Sequence, residues 1–459
     1  MFIGRTQEQK QLDAVYISAR NSAVVLYGRK GMGKTELVRK FSEGKPSVYF
    51  LGRELSEREL KFQMNEELLG GNALLPVDAE LSAPSYFETL YAAIMREGFG
   101  GKRVVVVLDE FEHIAKGSTE FAEAFVKLLN DVDLQCMFIL TSSSVNWVEN
   151  DMVKCLGMAA RSLSGIIKLK PFTFVEMVNR FPKLSIEDTI CASAVLGGVP
   201  EYLNYWNEKK SVKENITALF LSKNSPLFNE TEILLKSELR ELSAYNAILS
   251  TMAKGNYKLN DIYARTGFSR AKISVYIKNL IELDLVEKIF SFDAAEHANV
   301  QKGLYKISDN FLNFSYRFVF PNLSHILARD KADPYQAFVA PGFDAYMREC
   351  FKDVCSEYLK IMGKYKKLKA DYTNWGSWYG KAGLVDIVAG NDEGKCLVGF
   401  CRFDSKRVTV SDFADYEELI HSAMIEPEEI YVFSKTGFSA DFNIFAKRQG
   451  VVPVELSDL

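Results

Sequence analysis

Three stretches of the chain predict a multidomain α/β fold: a P-loop nucleotide-binding core with a helical lid, a winged helix-turn-helix and a carboxyl-terminal α/β domain. The first is Ser22 to Phe41, where the apolar run SAVVLY meets the glycine-rich GRKGMGKT and then the helical pattern ELVRKF. The second is Val104 to Glu110, an apolar strand that ends in Asp-Glu. The third is Phe343 to Phe403, a helical stretch followed by strands around the turn NDEG at 391–394.

With 459 residues, 47% of them hydrophobic and 25% charged, the chain has room for about three domains of ~100–200 residues each. The opening MFIGRTQEQK lacks a signal-peptide core, and no run approaches the ~18 apolar residues of a membrane span, so a cytoplasmic protein without membrane contact is expected. The cysteines (136, 155, 191, 350, 355, 396, 401) form no CxxC pair, which argues for buried free thiols over a zinc site or a disulfide framework. The histidines at 113, 297, 325 and 421 have no ligand spacing. Net charge is −4, so any nucleic-acid contact needs a local basic face.

The loop Gly28, Arg29, Lys30, Gly31, Met32, Gly33, Lys34 and Thr35 has the P-loop spacing between a strand and a helix. Glycines let backbone N–H groups turn inward around phosphates, and the helix N-terminus adds a favourable dipole. Lys34 is placed for the β/γ-phosphates and the Thr35 hydroxyl for Mg²⁺. Asp109, at the carboxyl end of its strand, would hold Mg²⁺ from the second side. Glu110 is placed to polarise the attacking water, with capping of the next segment as its alternative. A further strand, Met137–Leu140, ends in Thr141-Ser142-Ser143-Ser144. Ser142 and Ser143 are candidate γ-phosphate sensors, and an ordinary serine-rich turn is the alternative. The ligands implied are ATP and Mg²⁺.

In order, FIGR (2–5), GRKGMGKT, VVVVLDEFEHI (104–114), FILTSSS (138–144), LKPFTF (169–174) and GGVPEYL (197–203) resemble the archaeal-type ATPase family, in the STAND/AAA+-like branch of P-loop NTPases. The resemblance spans residues 1–240. It implies that Phe2, Ile3 and the turn Gly198-Val199-Pro200 pack against adenine, and that Arg161 acts as a phosphate-sensing finger. Related ATPases carry a glycine in the turn written here as Thr141-Ser142-Ser143. Members also assemble through their nucleotide domains, which makes a homo-oligomer an expected form. The core is expected over 1–204 and a helical lid over 205–240.

Residues 241–330 read as a winged helix-turn-helix: Tyr245–Met252, Asn260–Arg265, the turn Thr266-Gly267-Phe268, and a helix from Ser269 to Leu283. Ile273, Ile277, Leu280 and Ile281 make the buried stripe, leaving Arg270, Lys272 and Lys278 as candidate contacts to duplex DNA phosphates. Docking on a neighbouring domain or a protein partner is the alternative, since no Asn/Gln/Arg cluster is present to read base edges. Leu285–Phe290 and Leu304–Ile307 are the expected wing. The stretch Asp309–Phe318 resembles the element that closes this domain in the family, and its aromatics are expected in the core.

Residues 335–459 resemble a restriction-endonuclease-like domain, including Trp375-Gly-Ser-Trp378-Tyr379. The resemblance implies an Asp on one strand, expected over Tyr379–Ala389, and Glu-x-Lys on the next, which together bind Mg²⁺. Here Asp386 is present, but Phe400 and Arg402 occupy the other positions, and Phe351-Lys352 stands where Phe-Glu is usual. Glu349, Asp353 and Asp404 are the carboxylates that could replace them. The expectation is a degenerate site in which Asp386 and Arg402 form an ion pair and no cleavage occurs. The whole chain then reads as an ATP-dependent switch coupled to DNA or partner binding. An ATP-regulated, metal-dependent DNA nuclease and a nucleotide-stabilised interaction scaffold are the alternatives.

Overall fold

Apolar runs decide the first sheet. Strands β1 (Ser22–Tyr27), β3 (Val104–Asp109) and β4 (Cys136–Ser142) are buried at every residue, as a parallel sheet covered on both faces requires. Two further strands, β2 (Ser47–Leu51) and β5 (Gly165–Lys168), are short, partly exposed edges. The order is β2-β3-β4-β1-β5, parallel throughout. Because β4 lies between β1 and β3, its carboxyl end sits between the P-loop and Asp109. The computed structural model describes residues 3–18, 21–70, 83–98, 101–116, 118–292 and 303–459.

The chain divides into two compact units, Met1–Pro171 with Val199–Glu201, and Phe172–Gly198 with Tyr202–Leu459. The expected core ran to 204, and the turn Val199–Glu201 is the later stretch that joins the first unit. Helix Ile186–Leu196 belongs with the later part of the chain, because it is buried on nearly all sides and packs against helices Asn310–Phe314 and Ala340–Lys364. Tyr346 donates its hydroxyl to the Ala194 carbonyl, and Asn310 Nδ2 donates to the Ser193 carbonyl at 3.4 Å. A periodic pattern cannot say which distant helix will cover such a segment.

Within the second unit, helices Val212–Phe220 and Glu230–Glu238 occupy the stretch read as a lid. Helices Leu242–Ala253, Leu259–Thr266 and Arg270–Glu282 follow, then the antiparallel pair β6 (Val286–Ile289) and β7 (Leu304–Ile307). Ser269 Oγ caps the third helix by accepting the Lys272 amide at 3.2 Å. Ile273, Ile277 and Leu280 are buried, while Ile281 is only half-buried. Phe311, Phe314, Tyr316 and Phe318 are core residues, with the Phe314 ring 5.0 Å from Phe220 and 5.2 Å from Phe318.

Helix Ala340–Lys364 buries Tyr346, Met347, Cys350, Phe351, Val354, Cys355 and Leu359, one stripe at helical spacing. After it come β8 (Asn374–Tyr379), β9 (Leu384–Gly390) and β10 (Cys396–Arg402), an antiparallel meander. Helices Val410–Ala423 and Ala440–Gln449 then lead into β11 (Pro427–Ser434) and β12 (Val451–Glu455), which extend the sheet in parallel. The strand expected over Tyr379–Ala389 is two: β8 ends at Tyr379, and the Gly380 amide bonds the Gly383 carbonyl at 2.9 Å to turn the chain into β9. All the cysteines are free, and no described helix is long and apolar enough to cross a membrane.

Truncating Phe314 to Ala would leave a cavity among several rings and is expected to cost about 3–5 kcal/mol. Val275→Ala, at a residue 57% exposed, is expected to change stability by less than about 0.5 kcal/mol. Urea unfolding followed by circular dichroism measures both.

Candidate active site

β1 ends at Tyr27, and the chain then turns through the P-loop into helix Lys34–Ser42. Gly31 and Gly33 have φ of 85° and 82°, which residues with a Cβ seldom adopt. A Cβ on Gly31 would also stand 2.9 Å from Glu201 Oε2 and 3.2 Å from Val199 Cγ1. The loop is therefore walled by the turn Val199–Glu201: the Glu201 amide bonds the Gly31 carbonyl at 3.2 Å, and Pro200 lies beside Gly33. On another side Arg5 Nη2, buried, donates to the Met32 carbonyl at 2.9 Å. Arg5 anchors the segment that contains Ile3, which is half-buried; Phe2 lies outside the described residues.

Lys34 is 6% exposed, and its ammonium donates to the Gly28 carbonyl and to Ser143 Oγ, each at 2.8 Å. Ser143 in turn holds Glu110: its hydroxyl donates to Oε1 and its amide to Oε2 at 2.9 Å. One serine thus links the P-loop lysine to the candidate base. Glu110 has φ of 50°, a left-handed residue directly after a strand, and its amide is held by Thr141 Oγ1 at 3.2 Å. That turn aims its carboxylate back at the end of β4.

Asp109 accepts from three hydroxyls: Thr35 Oγ1 at 3.1 Å and Tyr49 at 2.7 Å on Oδ2, and Thr141 on Oδ1. The Thr35 hydroxyl and the Asp109 carboxylate are adjacent hard oxygen donors. They fit Mg²⁺, which takes one or two protein oxygens and fills its remaining positions with phosphate and water.

The structure separates the two candidate sensors. Ser142 is fully buried and turned away, its hydroxyl directed to the Ser144 carbonyl and to Glu112, so only Ser143 reaches Lys34. Successive residues at a strand end face opposite ways, which is why adjacent serines cannot share the role. Arg161 is exposed on a short turn, Gly157–Ser162. Three residues later the Ser164 amide bonds the Ala23 carbonyl, near the start of β1, whereas the P-loop leaves its end. Among the described residues Arg161 makes no hydrogen bond or ion pair, and the fold does not bring it to the loop. Arg29 is buried in the loop and Lys30 is exposed.

Residues that sequence reasoning missed are Arg5, Tyr49, Thr141, Glu112 and Glu201. Tyr49 lies on an edge strand with no clear sequence signature, and Glu112 reads as an ordinary first-turn acid. In the fold Glu112 is 3% exposed beside Glu110, and its Oε2 has no hydrogen-bond partner. Burial, reinforced by the neighbouring Glu110 carboxylate, pushes its carboxyl up to about 8.

The second candidate site is arranged differently from expectation. Asp386 is buried and accepts the Cys401 amide at 2.9 Å, with burial raising its carboxyl above the usual range. It does not pair with Arg402, which binds Asp404 at 2.8 Å and Asp412 at 2.6 Å. Strand alternation is the reason. Phe400 and Arg402 share a face, and Phe400 stacks on Tyr416 of helix Val410–Ala423. Cys401 takes the opposite face, toward Cys355 of helix Ala340–Lys364, and the cations nearest Asp386 are Arg348 and Lys352 of that helix. Glu349 bonds Arg317 at 3.0 Å, and Asp353 lies 3.6 Å from Lys306.

The predicted DNA-facing side chains are on the surface of the third helix of the triad. Arg270 Nη2 lies 3.3 Å from Asn260 Oδ1, Lys272 is 3.5 Å from Glu241, and Lys278 is 3.5 Å from Glu282.

Residues 2–206 match the model of an ATPase domain predominantly from Archaea, and residues 315–412 match a family described as archaeal and bacterial proteins of unknown function. An uncharacterised protein of Methanocaldococcus jannaschii is 27% identical over 86% of this chain and 85% of its own length. Among solved structures, a Walker-type ATPase of Pyrococcus abyssi is 18% identical, with 69% of this chain and 96% of that one covered at a TM-score of 0.48. The ORC2 protein of Aeropyrum pernix, solved as ADPNP–ADP complexes, is 14% identical, with coverages of 71% and 94% and a TM-score of 0.45. The domain match and the geometry of the loop together identify a P-loop ATPase.

Burial and the adjacent Glu110 carboxylate raise the Glu112 carboxyl from 4.5 to about 8 in the fold. Its contribution to stability is full below about pH 4.5 and is lost as pH rises toward 8. Glu112→Gln should therefore melt increasingly above wild type between pH 5 and pH 8.5 in paired thermal melts; a constant offset would refute the assignment.

Proposed function

We propose that the protein is a molecular switch in which ATP binding and hydrolysis are coupled to the binding of duplex DNA or a protein partner. The observation that carries the reading is the hydrogen-bonded chain from Lys34 through Ser143 to Glu110. A γ-phosphate that drew the Lys34 ammonium to itself would take it from Ser143. The serine hydroxyl would then be available to sense the phosphate, and Glu110 to orient and deprotonate the attacking water. Thr35 and Asp109 would hold Mg²⁺, which neutralises charge on the β- and γ-oxygens. Thr141 and Tyr49 keep the Asp109 carboxylate oriented.

Connectivity supports the coupling. Val199–Glu201 wall the P-loop, yet the chain on both sides of them belongs to the second unit. A change at Gly31 or Gly33 is therefore passed along the backbone into helix Ile186–Leu196 and the chain after Tyr202. The turn with Pro200, together with the segment around Ile3 and Phe2, is the proposed seat of adenine. Arg161, away from the loop in its own chain, would serve as a finger only toward a neighbouring copy in a homo-oligomer.

For the output, the three-helix arrangement with its β6–β7 hairpin supports a winged helix-turn-helix, with Arg270, Lys272 and Lys278 as phosphate contacts. The surface ion pairs of Lys272 and Lys278 are worth at most about 1 kcal/mol each, a small barrier to exchange for phosphate, and Arg270 meets the neutral Asn260 amide. The order of helix, three antiparallel strands, helix and parallel strand supports a restriction-endonuclease-like fold in residues 335–459. Lys352 and Arg348 beside Asp386, with Glu349, Asp353 and Asp404 each held by a cation, favour a domain that binds without cutting. The nuclease reading would need metal-dependent cleavage that Asp386→Ala abolishes.

The deciding experiment is ATP hydrolysis by the purified chain with Mg²⁺, with and without duplex DNA. Lys34→Ala should lose ATP binding. Glu110→Gln should bind normally and turn over about 10²–10⁴-fold more slowly. Stimulation by DNA would establish the coupling, whereas DNA-indifferent turnover would direct the switch to a protein partner. Turnover unchanged in Glu110→Gln would remove Glu110 from its role.

A further inference from the structure

The second unit contains a cavity of about 390 Å³ bounded by β6, helix Ala340–Lys364 and β8. Its walls are fixed to each other. Ser291, just past β6, forms a parallel bridge with Ser377 of β8, and the Tyr379 amide bonds Ser291 Oγ at 3.0 Å. Lys306 of β7 reaches Asp353 of the helix at 3.6 Å. A smaller cavity of about 180 Å³ adjoins it and shares Lys306, Lys352 and Asp386.

Charged side chains of both signs line this space. Lys288, Lys306, Lys352 and Lys360 line it against Glu287, Asp353 and Asp386. Asp353 is matched by Lys306, and the Asp386 carboxylate takes the Cys401 amide. The Lys352 ammonium meets the Ser377 hydroxyl at 3.3 Å, and Lys360 lies over the Trp375 ring at 5.9 Å. Among the described residues neither lysine has a carboxylate within ion-pair distance; Glu287 acts on both from farther off, and Asp386 on Lys352. Two ammonium groups that line one space without a close carboxylate favour an anion placed between them.

The remaining wall is aromatic and polar. Trp375, Tyr379 and Phe290 offer ring surface, while Asn374 and Ser356 offer an amide and a hydroxyl. A volume near 390 Å³ is at the lower end of the ~300–1,000 Å³ typical of small-ligand sites. Inorganic phosphate would leave most of it empty, and a duplex would not enter. Lysines suit a phosphate, and ring faces suit a planar base, since base–aromatic stacking is worth about 1–3 kcal/mol.

We propose that this cavity is a second nucleotide site, separate from the P-loop, that takes one phosphate monoester on an aromatic base. The source is either a free nucleotide or the phosphorylated end of a single strand. The inference does not rest on the switch reading, because the site lies within the second unit and needs neither Lys34 nor Glu110.

The test uses the full chain carrying Lys34→Ala, so that the P-loop is disabled, and follows tryptophan fluorescence as AMP is added. AMP should bind this protein. Adding Lys352→Gln should weaken binding at least tenfold, and Lys352→Arg should restore it. Lys360→Gln, at an exposed position that leaves folding intact, should weaken binding as well. Tighter binding of a 5′-phosphorylated short single strand than of its 5′-hydroxyl form assigns the site to strand ends, and preference for AMP assigns it to free nucleotide. AMP binding that is indifferent to both lysine substitutions overturns the proposal. So does the absence of binding by both AMP and the phosphorylated strand. Failure of DNA to stimulate ATP turnover would leave this site standing, and loss of the site would leave the switch standing.

Discussion

The clasp that Thr141 and Ser143 make at the end of β4 sets the chemistry of the first unit. β4 is the strand between β1, which feeds the P-loop, and β3, which delivers Asp109 and Glu110. Thr141 bonds the Asp109 carboxylate and the Glu110 amide, while Ser143 bonds the Glu110 carboxylate and the Lys34 ammonium. Two hydroxyl side chains at the end of β4 therefore bring an acid and a base from β3 and a lysine from the loop after β1 into one connected site. In a space where Lys34 is 6% exposed and Asp109 is 4% exposed, unpaired charges would be costly, so each of these bonds stabilises the fold as well as the site. The network is polar and nearly dry, and a single hydroxyl, Ser143 Oγ, separates the Lys34 ammonium from the Glu110 carboxylate.

The second unit is organised by packing rather than by a polar network. Helix Ile186–Leu196 is covered on nearly every side, and the cluster of Phe220, Phe311, Phe314, Phe318 and Tyr346 joins segments that are far apart in sequence. The β6–β7 hairpin and the second sheet are joined through Ser291, Ser377 and Tyr379. These joints make the lysine-lined cavity a fixed feature of the unit. Helix Val212–Phe220 joins the same aromatic core through Phe220, whose ring packs on Phe311 and Phe314.

Much of the nucleotide site was legible because its signals are local. A glycine at φ 82° before Lys34, a serine cap on the third helix at 269, and an apolar run ending in Asp-Glu each state a backbone conformation that neighbouring residues enforce. The edge strands β2 and β5 were not legible, since a short half-exposed strand has neither a continuous apolar run nor a strong alternation. Tyr49 was hidden with them. Glu112 was hidden for another reason: its first-turn position suggests an exposed acid, and only the neighbouring strands and helices show that it is buried against Glu110.

The carboxyl-terminal domain draws the same distinction most sharply. Phe400 and Arg402 were correctly read as residues of one strand, but which helix each face meets depends on how the sheet is layered. That layering sends Arg402 to Asp404 and Asp412 and leaves Asp386 with the cations of helix Ala340–Lys364. The sequence by itself determined the glycine-rich loop after β1, the Asp-Glu pair at the end of β3, the order of the three helices over 242–282 and the existence of the strand hairpin. All of these are written in contacts between near neighbours. The tertiary structure alone decided which serine faces Lys34, where the first unit ends, which carboxylates are neutralised and where four lysines share a cavity, because those outcomes depend on pairings across long chain separations that no local pattern encodes.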